Sequence, residues 1–416
     1  MHRSRKRLPG LAHVLAFVCL AATTSSSAQD RATASVTLAQ AFEAAWSRQP
    51  EAIALQLRRD AAQAQQEAAR SWTPEPAALT LSDKTDRFNR DQGVRELEVG
   101  VAIPLWLPGE RARSGALAEA ERGGVESRVA AARLRLAGVL REAWWQRQRA
   151  QVDADVARDQ LTNARMLAAD VAKRLRAGDL ARADQHQADG AVAAAESAVA
   201  RALSAEAAAL QQLRAASGGV PDAPAMARTE PEPASDVPAP VHPAIADLQD
   251  RVTIAEQAAA LGTTRARANP ELTLAATRER DVRGERYDPS ITIGLRIPLG
   301  AGSRHTARVA AAQAEATELQ AQLQLERARV AAEQDASRQR VASARAQLTA
   351  AERRAQLAGE SRGFFDKSFR VGETDLPTRL RIEAEAVEAR RQAASARIEV
   401  AAAIAQWRQA LGLLPE

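Results

Sequence analysis

An internal duplication restricts the possible folds of this 416-residue chain more than any other feature of the sequence. Residues 100–105 (GVAIPL) recur as residues 294–299 (GLRIPL), 194 positions later. The dipeptide at 178–179 (GD) recurs as GE at 372–373, with the same offset. Unrelated matches would not share one spacing, so the chain is predicted to contain two copies of one structural unit.

The repeat boundaries follow from this offset and from the positions of the prolines. The first repeat is predicted to occupy residues 29–217 and the second residues 242–416. Six prolines lie between positions 221 and 240. Residues 218–241 are therefore predicted to form an extended, proline-rich linker.

The N-terminal segment, residues 1–28, is predicted to be a secretory signal peptide. Basic residues precede an apolar stretch at 11–22, and a small-residue cleavage site ends at Ala28. The single cysteine, Cys19, lies inside this segment, and Val18 before it is larger than lipid attachment requires, so we expect no lipid anchor. The exported chain then has no thiol, which excludes disulfides and thiolate metal sites.

Composition and motifs argue against catalysis and nucleic-acid binding. Four of the 57 basic residues and none of the 52 acidic residues precede residue 29, so the exported chain is almost neutral. No phosphate-binding, nucleophile-elbow or zinc-protease motif occurs. His186, His242 and His305 lie far apart in the sequence. We therefore expect no enzymatic activity, no catalytic residue, no cofactor and no metal site.

Long helices are predicted for two proline-free segments, residues 109–220 and 299–376, each interrupted near a glycine-acid pair. Apolar residues recur at intervals of seven in both, which is the pattern of a coiled coil. They are Val129, Leu136, Ala143, Ala150, Ala157, Ala164 and Val171, then Val309, Ala316, Leu323 and Val330. Before them, a capping box at Thr37 is predicted to begin a helix that runs toward Trp72.

Two segments, 96–105 and 290–299, alternate strictly between apolar and other residues. One face carries Leu97, Val99, Val101, Ile103, Ile291, Ile293, Leu295 and Ile297; the other carries Glu96, Glu98, Thr292 and Arg296. Each has a weaker partner strand, around Leu79 and around Leu272. A soluble hairpin on the helices would fit this pattern. A strand of this length also crosses a bilayer, with the apolar face toward lipid and the other toward a lumen.

Four strands cannot close a membrane barrel alone, so a barrel would have to be shared between chains.

Several features of the sequence together resemble a known family. The signal, the TLxxAF opening, the doubled unit of strand hairpin and helical hairpin, and the IPL strand ends are similar to TolC-type outer-membrane efflux proteins. Residues 369–376 and 293–300 look most like the cobalt–zinc–cadmium resistance (CzcC-like) branch.

The resemblance implies a mainly α fold with a small β part. Long coiled-coil helical hairpins would extend into the periplasm, and four β-strands per chain would contribute to a twelve-stranded barrel of a homotrimer in outer-membrane lipid. It also implies docking to a periplasmic adaptor (membrane fusion protein) and an inner-membrane pump of the resistance-nodulation-division (RND) class. The chain would be a passive exit duct.

The family's adaptor-contact motif maps onto the helical turns. In the first repeat it matches Arg174, Gly178 and Leu180. In the second it matches Gly372 and Leu376, whereas Ser368 stands at the arginine position. The turns are expected to present an exposed apolar residue flanked by charge. Three nearby acids, Asp179, Glu373 and Asp375, would either line the periplasmic entrance or cap helices.

Heavy-metal cations are the cargo that the CzcC-like residues favour. A multidrug or type I secretion duct of the same fold is the nearest alternative. A periplasmic coiled-coil adaptor or a structural envelope protein is the alternative from another class. The glycines at the two turns would then only reverse the chain.

Overall fold

The structure is a computed structural model that describes residues 37–89, 91–219, 229–234, 241–300 and 302–416. The predicted signal peptide and most of the linker lie outside these ranges, and both stay predictions. Within the described ranges, no helix combines the length and the apolar composition needed to cross a membrane.

The described residues of the first repeat form five helices and two strands. They are α1 (Leu38–Trp46), α2 (Pro50–Ile53), α3 (Leu55–Arg70), β1 (Ala78–Thr85), β2 (Arg95–Pro104), α4 (Glu110–Ala177) and α5 (Arg182–Ser217). The predicted capping box is confirmed, since Thr37 Oγ1 accepts from the Gln40 N–H at 3.2 Å. The single helix expected from Thr37 to Trp72 is instead three segments. The break between α1 and α2 lies just before Pro50, which lacks the N–H that a continuous helix needs there, and a second break lies at Ala54.

The second repeat follows the same order, with three helices and two strands among the residues that the structure describes. They are α6 (Pro243–Thr264), β3 (Glu271–Arg280), β4 (Asp288–Arg296), α7 (Gly302–Arg370) and α8 (Leu376–Ala410). The helices α4 and α7 contain 68 and 69 residues, so each is about 100 Å long at 1.5 Å per residue.

The predicted coiled-coil repeat is confirmed by burial. Leu136, Ala143, Ala157 and Val171 of α4 are buried, as are Ala316, Leu323 and Val330 of α7. The other residues of the two series are half-buried. Alanine at many of these positions lets the helices of each hairpin, α4 with α5 and α7 with α8, approach closely.

The four strands form one antiparallel sheet in the order β1-β2-β3-β4. The two hairpins, one from each repeat, are joined by the pairing of β2 with β3, in which Gly100 lies opposite Ala275. A Cβ atom at Gly100 would lie 3.1 Å from the Ala275 Cβ, so both positions need small residues. The alternation predicted the strands, but this pairing between repeats is set only by the tertiary structure.

The helices form a layer in which α5 packs on α4, α4 on α8, and α8 on α7. The largest buried cluster joins α1, α4, α5 and α8, around Phe42, Leu140, Trp144 and Ala405. This cluster fixes the first repeat against the second below the sheet. A contact of this kind positions the two helical turns side by side at the far end.

Candidate functional site at the sheet and the helical turns

One face of the sheet is apolar across all four strands over the part nearer the helices, whereas Asp83, Arg95, Arg278 and Arg280 lie on the same face at the loop end. Val101 lies opposite Leu79 on one side and Leu274 on the other, and Leu274 lies opposite Ile293. Directly opposite residues in an antiparallel pair share a face. The face therefore collects Leu79, Leu81, Leu97, Val99, Val101, Ile103, Leu272, Leu274, Ile291, Ile293 and Leu295.

This apolar face is exposed, and most exposed at the two edges of the sheet. Val99 and Val101 on β2 are 44% and 37% exposed, whereas Ile291 and Ile293 on β4 are 76% and 75% exposed. Ile297 is also exposed but follows the strand, since β4 ends at Arg296 rather than at the expected residue 299. A continuous exposed apolar patch of this kind marks a surface that is covered by lipid or by another protein.

The opposite face of the sheet is polar or small, as the alternation predicts. Glu98 lies opposite Thr277, and Thr292 lies opposite Ala275. Glu96 pairs with Lys84 at 3.0 Å. Arg296 lies opposite Glu271 at the helical end of the sheet.

The two helical turns have the same backbone geometry. Gly178 has φ of 87° and Gly372 has φ of 83°, both in the left-handed region that favours glycine. The Asp179 N–H donates to the Arg174 carbonyl, and the Glu373 N–H donates to the Ser368 carbonyl, each at 3.0 Å. Nothing lies within 4 Å of a Cβ built at either glycine, so the backbone conformation, not space, requires glycine.

Arg174 joins the first turn to the second repeat. Its guanidinium donates to the carbonyls of Phe369 at 2.8 Å and Arg370 at 3.2 Å, and it lies 4.8 Å from the Phe369 ring centroid. These carbonyls are at the C-terminal end of α7, where a helix carries partial negative charge. Arg174 therefore stabilises the end of a helix in the other repeat.

The leucines at the two turns are less accessible than expected. Leu376 is 1% exposed and belongs to a cluster with Val171 and Phe369, against which Leu180 is half-buried. The expectation of an exposed apolar residue is wrong for Leu376, because α8 begins there and turns this side chain inward. The exposed apolar residue of the second turn is Val371.

Of the three acidic residues at the turns, one caps a helix and two have exposed side chains. Asp375 is the N-cap of α8, and its Oδ1 accepts from the Thr378 N–H at 3.1 Å. Hydrogen bonds from the Thr378 side chain and backbone lower the pKa of Asp375. Asp179 and Glu373 are exposed, and neither side chain has a hydrogen bond or ion pair within the described part of the chain.

A buried charged group in the linker was not predicted from the sequence. The Glu230 carboxylate accepts from Arg141 Nε and Nη2 at 2.9 and 2.7 Å and lies 3.4 Å from Arg408 Nε. All three side chains are at most 4% exposed. We call these residues the Glu230 cluster. A glutamate between prolines in a linker gives no local signal of burial.

The histidines do not come together. His242 caps α6, where its Nδ1 accepts from the Ala244 N–H at 3.3 Å, and His186 and His305 lie on α5 and α7. Over the residues that the structure describes, no group of three or more histidine, cysteine or acidic side chains is placed to hold a metal ion.

Comparison with known proteins identifies the fold. The outer-membrane protein VceC of Vibrio cholerae is similar over 91% of this chain and 97% of its own, with 17% identity and a TM-score of 0.71. CusC, whose crystal structures concern folding and transmembrane channel formation, is similar over 91% of this chain and 93% of its own. Its sequence identity is 17% and the TM-score is 0.73. The CmeC outer-membrane channel of Campylobacter jejuni is similar over 98% of this chain and 95% of its own, with 14% identity and a TM-score of 0.70.

No protein-family model matches the sequence, and no curated protein matches it closely. The three structural matches show that the chain has the fold of TolC-like outer-membrane channels. Its sequence is only 14–17% identical to the sequences of these channels.

Proposed function

We propose that this protein is the outer-membrane channel subunit of a tripartite efflux system and works as a passive exit duct. The exposed apolar face across all four strands carries the proposal. In water such a face would be unfavourable, whereas lipid covers it at no cost. The helices α4 and α7, each about 100 Å long, would extend from that face into the periplasm.

The open edges of the sheet support a homotrimer. β1 and β4 each have one side without a partner strand within the described residues. Pairing β4 of one copy with β1 of the next satisfies both edges, and three copies give a twelve-stranded barrel wide enough for a passage. The face with Glu96, Glu98, Thr292 and Arg296 would then line the lumen.

A periplasmic adaptor would dock at the helical turns, and an RND pump would supply the energy. Asp179, Glu373 and Val371 are the accessible groups there. Arg174 and Leu376 would act indirectly, by holding the two turns in place. Heavy-metal cations are the cargo we propose, with drugs or an exported polypeptide as the alternative.

The location and assembly are tested by cell fractionation followed by electrophoresis without boiling. We expect a trimer in the outer-membrane fraction. A soluble monomer in the periplasm would instead favour an adaptor or an envelope structural protein and would contradict the proposal.

The cargo is tested with a deletion strain of the source bacterium grown on zinc, cobalt or cadmium salts and, in parallel, on a panel of drugs. We expect sensitivity to the metals and its reversal by the intact gene. Sensitivity to drugs alone would retain the duct and overturn the metal cargo.

Docking at the turns is tested with Gly178→Val and Gly372→Val, which force a β-branched residue into a left-handed conformation. We expect efflux to be lost while trimers still reach the membrane. Normal efflux in both variants would remove the docking assignment.

A further inference from the structure

The end of the sheet that lies farthest from the helices carries arginines on the face that is apolar elsewhere. Directly opposed residues form rows across the strands, and the two rows nearest the loops differ from the apolar rows below them. They contain Asp83, Leu97, Arg278 and Pro289, then Thr85, Arg95 and Arg280. Three arginines and one aspartate therefore lie at the loop end of the apolar face. We call Arg95, Arg278 and Arg280 the arginine row.

Tyr287 holds two of these arginines close together. It directly precedes β4 and extends the β3–β4 register toward Arg280. Its ring centroid lies 5.0 Å from the guanidinium carbon of Arg280 and 5.4 Å from that of Arg278. Arg280 Nε also donates to the Gly93 carbonyl at 3.2 Å. Two like charges are thus positioned around one aromatic ring.

The arginine row has fewer acidic partners than it has charges. Arg95 pairs with Asp83 at 3.4 Å, and both side chains are about half exposed. Within the described part of the chain, no carboxylate pairs with Arg278 or Arg280. An aromatic ring attracts a cation more weakly than a carboxylate does. Two guanidinium groups on this face therefore remain available to an anion from another molecule.

The opposite face of the sheet carries the opposite net charge at the same level. Lys84, Glu96, Glu279 and Asp288 lie opposite one another across the four strands. Lys84 is the one base in this row, and it pairs with Glu96 at 3.0 Å. A surface that faces only water usually mixes both signs of charge. The separation of basic and acidic residues indicates that the two faces meet different surroundings.

The arginine row lies where a bilayer's headgroups would begin. Tyr287 and Ile297 are the ends of an eleven-residue segment, and a tilted strand crosses the hydrocarbon core in about 9–11 residues. With Ile297 at the periplasmic border, Tyr287 and Arg280 lie at the outer border. Tyrosine is typical of this level, and arginine extends its charged end toward headgroups while its stem stays in apolar surroundings.

We propose that the arginine row binds the phosphate group of a phosphorylated glycolipid in the outer leaflet, one lipid on each copy of the chain. The proposal rests on the proposed function, because it needs the sheet in the outer membrane with its loops outward. A guanidinium group donates two parallel N–H bonds to a phosphate, so Arg278 and Arg280 can share one phosphate between them.

The apolar rows directly below favour a lipid over a free phosphate ion. Val99 and Ile291 lie in the row next to Leu97 and Arg278, and they are 44% and 76% exposed. The acyl chains of a lipid held by its phosphate would cover these side chains. An anionic head on an apolar tail thus matches the order of charged and apolar rows on this face.

The site is tested by native mass spectrometry of the purified trimer in a non-ionic detergent with added lipid A. We expect binding of one lipid A per subunit and at least about tenfold weaker binding of dephosphorylated lipid A, because charge-assisted hydrogen bonds are lost. Arg278→Gln/Arg280→Gln should weaken lipid A binding by a similar factor. Arg280→Gln alone should weaken it less, and Lys84→Gln, a matched loss of one charge on the opposite face, should leave it unchanged.

Three outcomes would overturn this inference alone: equal binding of lipid A by the parent trimer and the double glutamine variant, equal binding of the two lipids, or displacement of lipid A by excess inorganic phosphate. If the glutamine variant forms no trimer, Arg278→Lys/Arg280→Lys keeps both charges and removes the planar donors. Its binding should be several times weaker than that of the parent, and equal binding would contradict the guanidinium contact. A parent protein that forms no outer-membrane trimer would overturn the proposed function as well.

Discussion

The sheet and the Glu230 cluster invert the usual placement of side chains. The sheet leaves a broad apolar face exposed, with Ile291 and Ile293 among its most accessible residues. The Glu230 cluster buries three charged groups between α4, α8 and the linker. A globular protein in water normally does the reverse.

The difference shows which contacts the chain completes by itself. The charges of the Glu230 cluster are compensated inside one chain, because Arg141 also donates to the Gln409 side chain and the Leu413 carbonyl. The apolar face has no covering group among the described residues, which agrees with the proposed contact with lipid. One region therefore completes its contacts on folding, and the other would complete them on the proposed assembly in the membrane.

The largest expected effect comes from Glu230→Ala, which would leave two buried arginines without their shared carboxylate. Breaking a buried pair in this way costs about 3–5 kcal/mol of unfolding free energy. Denaturant unfolding followed by circular dichroism measures it. Glu232→Ala is the matched control, since Glu232 makes an exposed pair with Arg345 and should change stability by less than about 1 kcal/mol. Equal effects of the two variants would show that the linker is not fixed by this cluster.

The next effect concerns the sheet. Ile293→Arg should destabilise the membrane-inserted protein by about 2–4 kcal/mol, the cost of arginine at the bilayer midplane. Thr292→Arg, on the neighbouring position of the opposite face, should be tolerated. The quantity of trimer recovered from outer membranes compares them. If Thr292→Arg were the more damaging substitution, the assignment of the two faces would be reversed.

A smaller effect is expected at the turns, where Arg174→Ala removes the cation from the end of α7. A partly buried charge at a helix terminus contributes up to about 2 kcal/mol. Amide hydrogen exchange should therefore accelerate over residues 368–375. Arg176→Ala serves as the control, because among the described residues the side chain of this exposed arginine donates to Ala172 of its own helix and not to α7. Unchanged exchange in Arg174→Ala would mean that the two turns are held by the buried cluster alone.

The smallest effect is the pH dependence of His242. Burial lowers its pKa, partly opposed by Glu326. As the pH falls below about 6.5, the unfolded chain takes up a proton more readily than the folded chain, so stability is lost. The melting temperature of His242→Asn, which keeps a capping side chain, should depend less on pH between 7.5 and 5.0 than that of the parent protein. Parallel curves would exclude this contribution.

The helical turns show how far local signals reach. The glycines predicted both reversals, since a left-handed residue is needed to end each helix. The sequence did not predict that Arg174 would reach Phe369, 195 positions away, or that Leu376 would be buried beneath it. Both depend on the contact between the two hairpins, which no local pattern encodes.

The sequence alone determined the duplication, the coiled-coil helices, the two faces of each strand and the positions of the turns, because periods of two and seven residues are local properties. The tertiary structure decided that β2 pairs with β3, that α4 packs on α8, and that Glu230 is buried between them. Each of these contacts joins residues from segments far apart in the chain. Their energy depends on distances and burial that exist only after both repeats have folded together.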